Sequence, residues 1–410
     1  MEIRPIISAL MRSKVTLILI GLQIALTLAI VCNALFIISQ RLEKVSRPSG
    51  MNEADTFIVG SSGFGANFNV ANAIAEDLVL LRGLPGVAAV APVNSVPMSD
   101  GGWSEAVFLT TDQKTNTTGG AYYFVDDHGL DAYGLKLIGG RNFKPEEISA
   151  RDHNSDGWTA SLIITKALAD KLYPGQDAIG KQLYLDQKKP PRTVIGVVER
   201  MQVPWPNGYV VNGDKNAVEY SILVPQLLTG GNGSKYLIRA EPGRRDELMK
   251  TAESKLADSN HSRIVRGIKS IESVRAAGYR SDRAMMIILG IVILSLLTIT
   301  ALGIVGMASF WVTQRTKQIG TRRALGATRG SILRYFLTEN FLITSGGLIL
   351  GAVLTYGFSF WLMTHYQAKL LPWHYVPVGF LCLWVLGQIA VLGPATRASR
   401  VSPAVATRSV

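Results

Sequence analysis

Residues 284–312 read AMMIILGIVILSLLTITALGIVGMASFWV, and residues 314–337, just beyond them, read QRTKQIGTRRALGATRGSILRYFL. The first stretch contains no Asp, Glu, Lys or Arg. It is longer than the roughly 20 residues a helix needs to cross a ~30 Å hydrocarbon core. A helix satisfies its own backbone hydrogen bonds in lipid, so this run predicts a transmembrane helix. The second stretch carries six Lys and Arg residues and no acid. An apolar span followed by a short basic loop is the pattern of a helix that ends on the cytoplasmic side.

Outward from this pair, three further uncharged runs qualify as spans: Val15–Ile38, Phe341–Met363 and Tyr375–Gly393. The fourth is interrupted by Pro377, Gly379, Gly387 and Gln388, and is also open to a reading as a re-entrant or buried core helix. The fold class predicted is a membrane α-helical protein with four transmembrane helices and an α+β domain inserted between the first and second. The segments expected are an N-terminus and first span at 1–40, an outer domain at 41–267 and a helix with span two at 268–312. A basic loop follows at 313–337, then span three at 338–363, a short outer loop at 364–374, span four at 375–393 and a tail at 394–410. Span one exceeds the ~7–15 apolar residues of a signal peptide and is followed by Gln40-Arg-Leu-Glu-Lys44 without a small-residue cleavage pattern, so it reads as an uncleaved anchor.

The net charge of +12 invites a nucleic-acid reading, but its placement argues for membrane orientation. Of 30 acids, 28 lie between Arg41 and Arg283, where 29 Lys and Arg nearly balance them. The excess sits in short flanks: Arg4, Arg12 and Lys14 before span one, the basic loop, and Arg397, Arg400 and Arg408 after span four. The loop between spans three and four carries only Lys369. One topology satisfies all of this, with both termini and the basic loop inside and the large domain outside. Cys32 and Cys382 fall inside spans, so the outer domain is expected to hold by packing alone.

Within that domain, residues 41–66 are rich in Gly and Ser and read as a linker or surface loop. Val70–Arg82 has apolar residues at helical spacing and Asn69 as a cap. Helices are also expected at Lys166–Tyr173 and Gly243–Ser259. Strands are expected at Val87–Val93, Glu105–Thr111, Leu162–Thr165, Thr193–Glu199, Ser221–Pro225, Lys235–Ala240 and Ile264–Gly267. Residues 94–220 mix strands with long loops and suggest an inner lobe. From Ile271 to Val312 no proline intervenes. About 42 residues at 1.5 Å each would reach ~63 Å, so a stalk projecting from the membrane is expected.

Chemistry is sparse. Gly175-Gln-Asp-Ala-Ile-Gly-Lys-Gln182 nearly matches a phosphate loop, but Gln182 replaces the hydroxyl that binds magnesium and a strand follows instead of a helix. Ser345-Gly346-Gly347 lies within span three, where small residues serve close helix packing. The five histidines make no metal spacing. No catalytic centre, metal or cofactor is expected in this chain. For the basic loop, attraction to anionic lipid explains the charge. A docking helix for a cytoplasmic partner also explains Ile319, Leu325 and the spaced glycines, and the residues alone leave both open.

At this loop the chain resembles the MacB/FtsX-like permeases of ABC transporters. The segment Arg315-Thr-Lys-Gln-Ile-Gly-Thr-Arg-Arg-Ala-Leu-Gly-Ala-Thr-Arg329 is similar to that family's coupling segment, with Gln318 where a Glu is common. Pro394-Ala-Thr-Arg-Ala-Ser-Arg-Val-Ser-Pro403 resembles the family's tail. Leu84-Pro-Gly-Val87, Gly139-Gly-Arg-Asn-Phe143, Leu172-Tyr-Pro-Gly175, Ile179-Gly-Lys-Gln-Leu183 and Val194-Ile-Gly-Val-Val198 resemble pieces of its periplasmic core domain. The resemblance implies a permease in a bacterial inner membrane, homo- or heterodimeric, worked by a separate cytoplasmic ATPase subunit that holds ATP and magnesium. Arg315, Lys317, Ile319, Gly320, Arg322, Arg323, Leu325, Gly326, Ala327 and Arg329 are then implied as ATPase contacts, and Ile271, Val274 and Leu296 as transmission positions. Export of a small hydrophobic or peptide substrate, with a periplasmic adaptor and outer-membrane duct, is the leading expectation. Regulation of a cell-wall hydrolase and lipoprotein release are the alternatives within the family, and a membrane-anchored adhesion or receptor domain is the alternative outside it.

Overall fold

A computed structural model of the chain describes residues 14–65, 68–152, 154–206, 214–366 and 369–402. Arg4, Arg12, His153, Arg408 and the tail from Pro403 lie outside the described residues. Helix α1 (Lys14–Val45) leads to β1 (Thr56–Gly63), α2 (Val70–Arg82) and β2 (Val87–Pro92). Next come β3 (Trp103–Val107), β4 (Thr118–Val125), α3 (Gly129–Tyr133), β5 (Leu137–Gly140), β6 (Ser149–Arg151) and β7 (Ser161–Thr165). They are followed by α4 (Lys166–Leu172), β8 (Gln182–Leu183), β9 (Arg192–Val198) and β10 (Ser221–Leu228). The chain continues through β11 (Gly233–Ala240), α5 (Arg245–Ser259), β12 (Arg263–Ser270) and α6 (Ile271–Gly278). Four helices close it: α7 (Arg280–Gln314), α8 (Thr316–Ala324), α9 (Arg329–Tyr366) and α10 (Tyr375–Ser399). Residues 46–281 form one compact unit, and the helices before and after them form a second.

The domain unit is built on two sheets. The first is antiparallel with strand order β12-β1-β11-β2. Phe57, Val59, Tyr236 and Ile238 on its inner face pack against Ile74 and Leu81 of α2 and Leu248 and Leu256 of α5. Helix α2 starts where the Asn69 side chain accepts the Asn72 N–H at 3.0 Å, the cap its sequence predicts. Asp77 of α2 is buried but paired, accepting from Tyr236 Oη at 2.6 Å and from the Arg263 guanidinium. The second sheet is mixed, with strand order β3-β4-β10-β7-β9-β5, β6 beside β10 and β8 beside β9. Its core joins Phe124, Ile164, Val194 and Ile222 to Leu168 and Leu172 of α4. All eight residues of β4 are buried. The chain leaves the first sheet after β2 and re-enters it at β11, and the Val93 N–H donates to the Lys235 carbonyl at 2.9 Å across that point.

Three expectations change. Residues 56–63 are not loop: β1 is an interior strand with Phe57 and Val59 fully buried, because β11 and β12 supply partners on both edges and override its Gly and Ser content. Strand β12 runs to Ser270, so the expected helix over 268–270 is strand. The expected unbroken helix from Ile271 to Val312 is divided at Tyr279, which leaves helical geometry at φ −103°, ψ 16°. Its ring is buried in the domain, its hydroxyl donates to Gln202 Oε1 at 3.1 Å, and a Cβ at the preceding Gly278 would stand 2.6 Å from the Met98 carbonyl oxygen. The segment expected as a stalk therefore belongs to the domain through its first turns. Arg275 of α6 reinforces this with a forked ion pair to Glu53 at 2.6 and 2.8 Å.

Among the described residues of the second unit, four helices are long and apolar enough to cross a membrane. Helix α1 is the most enclosed, with Ile24, Leu28 and Cys32 buried. Helix α9 lies along it through small residues. A Cβ at Gly347 would stand 2.9 Å from the Gly21 carbonyl oxygen, and one at Gly351 3.0 Å from Ala25 Cα. That close backbone approach is what small residues four apart permit in lipid, where van der Waals contact replaces the hydrophobic drive. Helix α10 meets α1 the same way, Gly379 facing Cys32. Helix α7 is mostly exposed, and its buried residues include Thr300, Ile304, Ala308 and Trp311. The Thr27 and Thr300 hydroxyls bond at 2.8 Å, and Gln23 Nε2 donates to the Ile299 carbonyl at 3.1 Å. Asp282, fully buried in the first turn of α7, is held by Arg41 and by Lys44 Nζ, 3.1 Å away.

Candidate functional site

The basic loop folds as a short helix between two turns. One residue, Arg315, separates the end of α7 from the start of α8. It stops in a Schellman motif: the Gly326 N–H donates to the Arg323 carbonyl at 3.1 Å and the Ala327 N–H to the Arg322 carbonyl at 3.0 Å. Gly326 sits at φ +96°, where a side chain would be strained. Thr328 begins α9 by accepting the Ser331 N–H on its hydroxyl at 3.2 Å. The sequence Leu325-Gly-Ala-Thr328 thus ends one helix and starts the next.

The ten residues implied as ATPase contacts sort into two groups. Ile319 and Gly320 are buried, and Ile319 joins Ile332 and Phe336 of α9 and Ala398 of α10 in the core of the membrane unit. Arg315 turns inward. Its Nη1 reaches both carboxylate oxygens of Glu339 at 2.9 and 3.0 Å, and its guanidinium lies 5.8 Å from the Trp311 ring. Arg323 Nη1 donates to the Ser399 carbonyl at 3.0 Å and the Val401 carbonyl at 2.8 Å, so it closes the end of α10. Ala327 is half-buried in the turn. Lys317, Arg322, Leu325, Gly326 and Arg329 face outward. Leu325 is 84% exposed, a bare apolar tip on a surface without a single acid from 314 to 337. Arg322 lies over the Tyr335 ring at 5.1 Å, which restricts where its charge points.

Sequence reasoning missed Glu339. It falls two residues before the apolar window of span three, yet α9 begins at Arg329 and carries it into the bundle, 1% exposed. A lone acid beside an apolar run was the available signal, because such a group needs a partner. Of the transmission positions, Ile271 and Val274 are buried in the domain unit, and Leu296 lies half-buried along α7. The near-phosphate loop 175–182 is the turn between α4 and β8. Gly175 and Gly180 both have positive φ there, and the Gly180 N–H donates to the Val194 carbonyl at 2.8 Å. Among the described residues no group of three or more His, Cys, Asp or Glu is placed to hold a metal.

Four apolar helices, an α+β domain between the first two and a buttressed cationic turn between the second and third define a permease-type membrane subunit. The MacB-like periplasmic core domain profile matches residues 16–255, and the FtsX-like permease C-terminal profile matches residues 269–403. The chain belongs to this MacB/FtsX-like family of ABC transporter permeases. It is 23% identical over 412 residues to the macrolide export ATP-binding/permease protein MacB of Neisseria meningitidis, covering 98% of this chain and 59% of that protein. It is 26% identical over 273 residues to the protein of the same name from Chromobacterium violaceum, covering 66% of this chain and 40% of that one. The chain thus spans well under two thirds of the length of these relatives. The periplasmic region of MacB from Actinobacillus actinomycetemcomitans is similar over 57% of this chain and 97% of that structure, at 13% identity and a TM-score of 0.34.

Proposed function

We propose that this chain couples ATP binding by a separate cytoplasmic ATPase subunit to movements of its periplasmic domain, and so drives export of a small substrate. The observation that carries this reading is the exposed Leu325 tip on a cationic helix whose opposite side is locked into the bundle. An apolar tip ringed by Arg and Lys suits a groove on an acidic protein partner. ATP and magnesium would be held by that partner. Closure of two ATPase subunits against two copies of this chain would displace α8. The displacement would pass to α9 through Ile319 and the Arg315–Glu339 pair, and to α10 through Arg323. Helix α7 would carry it to Asp282, where Arg41 and Lys44 tie in α1. The charge partition supports termini and basic turn in the cytoplasm and the domain in the periplasm. A periplasmic adaptor and an outer-membrane duct complete the export route in this reading.

The test is co-purification of the native ATPase subunit with variants of the full chain. Leu325→Glu or Arg322→Glu is expected to cut recovery at least about tenfold, with stability unchanged for Leu325→Glu and lowered by no more than about 1 kcal/mol for Arg322→Glu, which loses the Tyr335 ring. Arg323→Glu is expected to lower stability as well, since it loses the carbonyls of Ser399 and Val401. Full recovery with Leu325→Glu and Arg322→Glu combined refutes docking at this tip.

A further inference from the structure

The domain unit holds a cavity of about 540 Å³. Pockets for small organic ligands typically run ~300–1,000 Å³. It opens between the two sheets, beside the crossing from β2 to β11. Its interior is apolar, with Val59, Ile74 and Phe124 buried in the walls and the Trp103 ring set edge-on to Phe124 at 5.0 Å. Gly60, Gly233 and Gly267 contribute no side chains where β1, β11 and β12 pass. Glycine inside a strand weakens it and often marks close approach of another group. A Cβ at Gly60 would stand 3.0 Å from the Arg266 carbonyl oxygen, so β1 and β12 pass closely at this wall.

Charge at the rim is one-sided. Lys235 and Arg266 are exposed there, and no Asp or Glu lines the cavity. Arg266 Nη2 donates to Ser62 Oγ at 3.1 Å, and Lys235 Nζ to the Asn94 carbonyl at 3.4 Å. Among the described residues, neither has a carboxylate within ion-pair distance. The amides deeper in the wall are occupied: Asn94 bridges the backbone of Tyr122 and Phe124, and Gln226 donates to the Asp156 and Gly157 carbonyls. Two cations with spare donors over an apolar, aromatic interior select an apolar body that carries a negative charge at one end.

We propose that this cavity binds an amphipathic organic monoanion, the substrate class of the domain. The word substrate rests on the export reading, but the binding does not. The experiment is calorimetric titration of the full chain, reconstituted in nanodiscs of zwitterionic lipid without ATP, with naphthalene-2-sulfonate. The neutral 2-naphthol supplies a matched apolar body at pH 7. The sulfonate is expected to saturate one site per chain. Lys235→Gln and Arg266→Gln should each weaken it about tenfold while changing 2-naphthol less than twofold. Arg266→Lys should restore much of the affinity, and Trp103→Leu should weaken both probes. Absence of saturable binding, or equal losses for both probes in the Gln variants, overturns the proposal. Repeating the titration with anionic lipid in the discs identifies the source. Displacement of the probe assigns the monoanion to a lipid, and unchanged affinity assigns it to a soluble compound. Leu325→Glu, which tests coupling, should leave the titration unchanged, so failure of coupling and failure of this site are read separately.

Discussion

Arg315→Met is expected to destabilise the membrane unit by about 3–5 kcal/mol, the cost of stranding one partner of a buried ion pair. The magnitude follows from the geometry. Glu339 is 1% exposed on its side chain and receives both of its contacts, at 2.9 and 3.0 Å, from a single nitrogen of Arg315. Charge-assisted hydrogen bonds contribute about 1.5–3 kcal/mol each, and losing two matches the same range. Glu339→Gln should cost less, about 1–3 kcal/mol, because Arg315 is 18% exposed and keeps its contact with the Trp311 ring. The double variant Arg315→Met with Glu339→Leu removes both charges and should fall within about 1 kcal/mol of the parent chain. The assay is unfolding of the purified full chain in mixed micelles by increasing fractions of a denaturing detergent, followed by tryptophan fluorescence. A loss below about 1 kcal/mol for Arg315→Met, or a double variant as unstable as that single one, refutes the reasoning that this pair is desolvated and mutually dependent.

Two further outcomes are expected. Gly351→Ala should cost about 1–3 kcal/mol in the same titration, because its Cβ would meet Ala25 Cα at 3.0 Å, whereas Gly346→Ala, with nothing within 4 Å, should change stability by less than about 0.5 kcal/mol. In the domain, the Arg141 fork on Glu147, together with the Lys144 N–H, holds that carboxyl at about 2, below its ordinary 4.5. A depressed carboxyl stabilises the fold above its ordinary value and loses that contribution as pH falls. The protection of the turn at 145–148 against hydrogen exchange, taken relative to the intrinsic rate at each pH, should therefore fall progressively between pH 4.5 and about 2, and Glu147→Gln should flatten that profile, with an unchanged profile counting against the fork.

Much of the fold was legible because the membrane imposes one simple rule. Runs such as 284–312 can only be helix in lipid, and the cap at Asn69 and the strands around Ile163, Val194 and Leu237 follow local chemistry. What escaped depended on neighbours. Strand β1 contains Gly60-Ser-Ser-Gly63 and reads as loop until β11 and β12 pair with it. Strand β4 opens Thr118-Gly-Gly120 and is buried on both faces, so it lacks the alternation that marks a half-exposed strand. The break at Tyr279 has no proline to announce it. It comes from the Tyr279 ring, which is buried in the domain and bonded to Gln202. At the candidate site, charge and glycine spacing located the turn, but they could not say which arginines face outward. Arg315 and Arg323 look like Arg322 in sequence, and only Glu339 and the end of α10 distinguish them.

The join at Val93 and Lys235 bears on how such a domain can change over time. The chain departs the first sheet and comes back to it on adjacent strands, with the Val93 N–H bonded to the Lys235 carbonyl. Everything between is therefore grafted through a two-strand neck whose ends already touch. Lengthening or trimming the graft adds little closure entropy, about 0.6 kcal/mol for each doubling of a flexible connection. The register of β1, β11 and β12 need not shift when it is altered. A lineage could lengthen or trim the graft away from Met98 and Gln202, the two residues that hold Gly278 and Tyr279, and keep the strand frame that precedes the membrane helices in sequence.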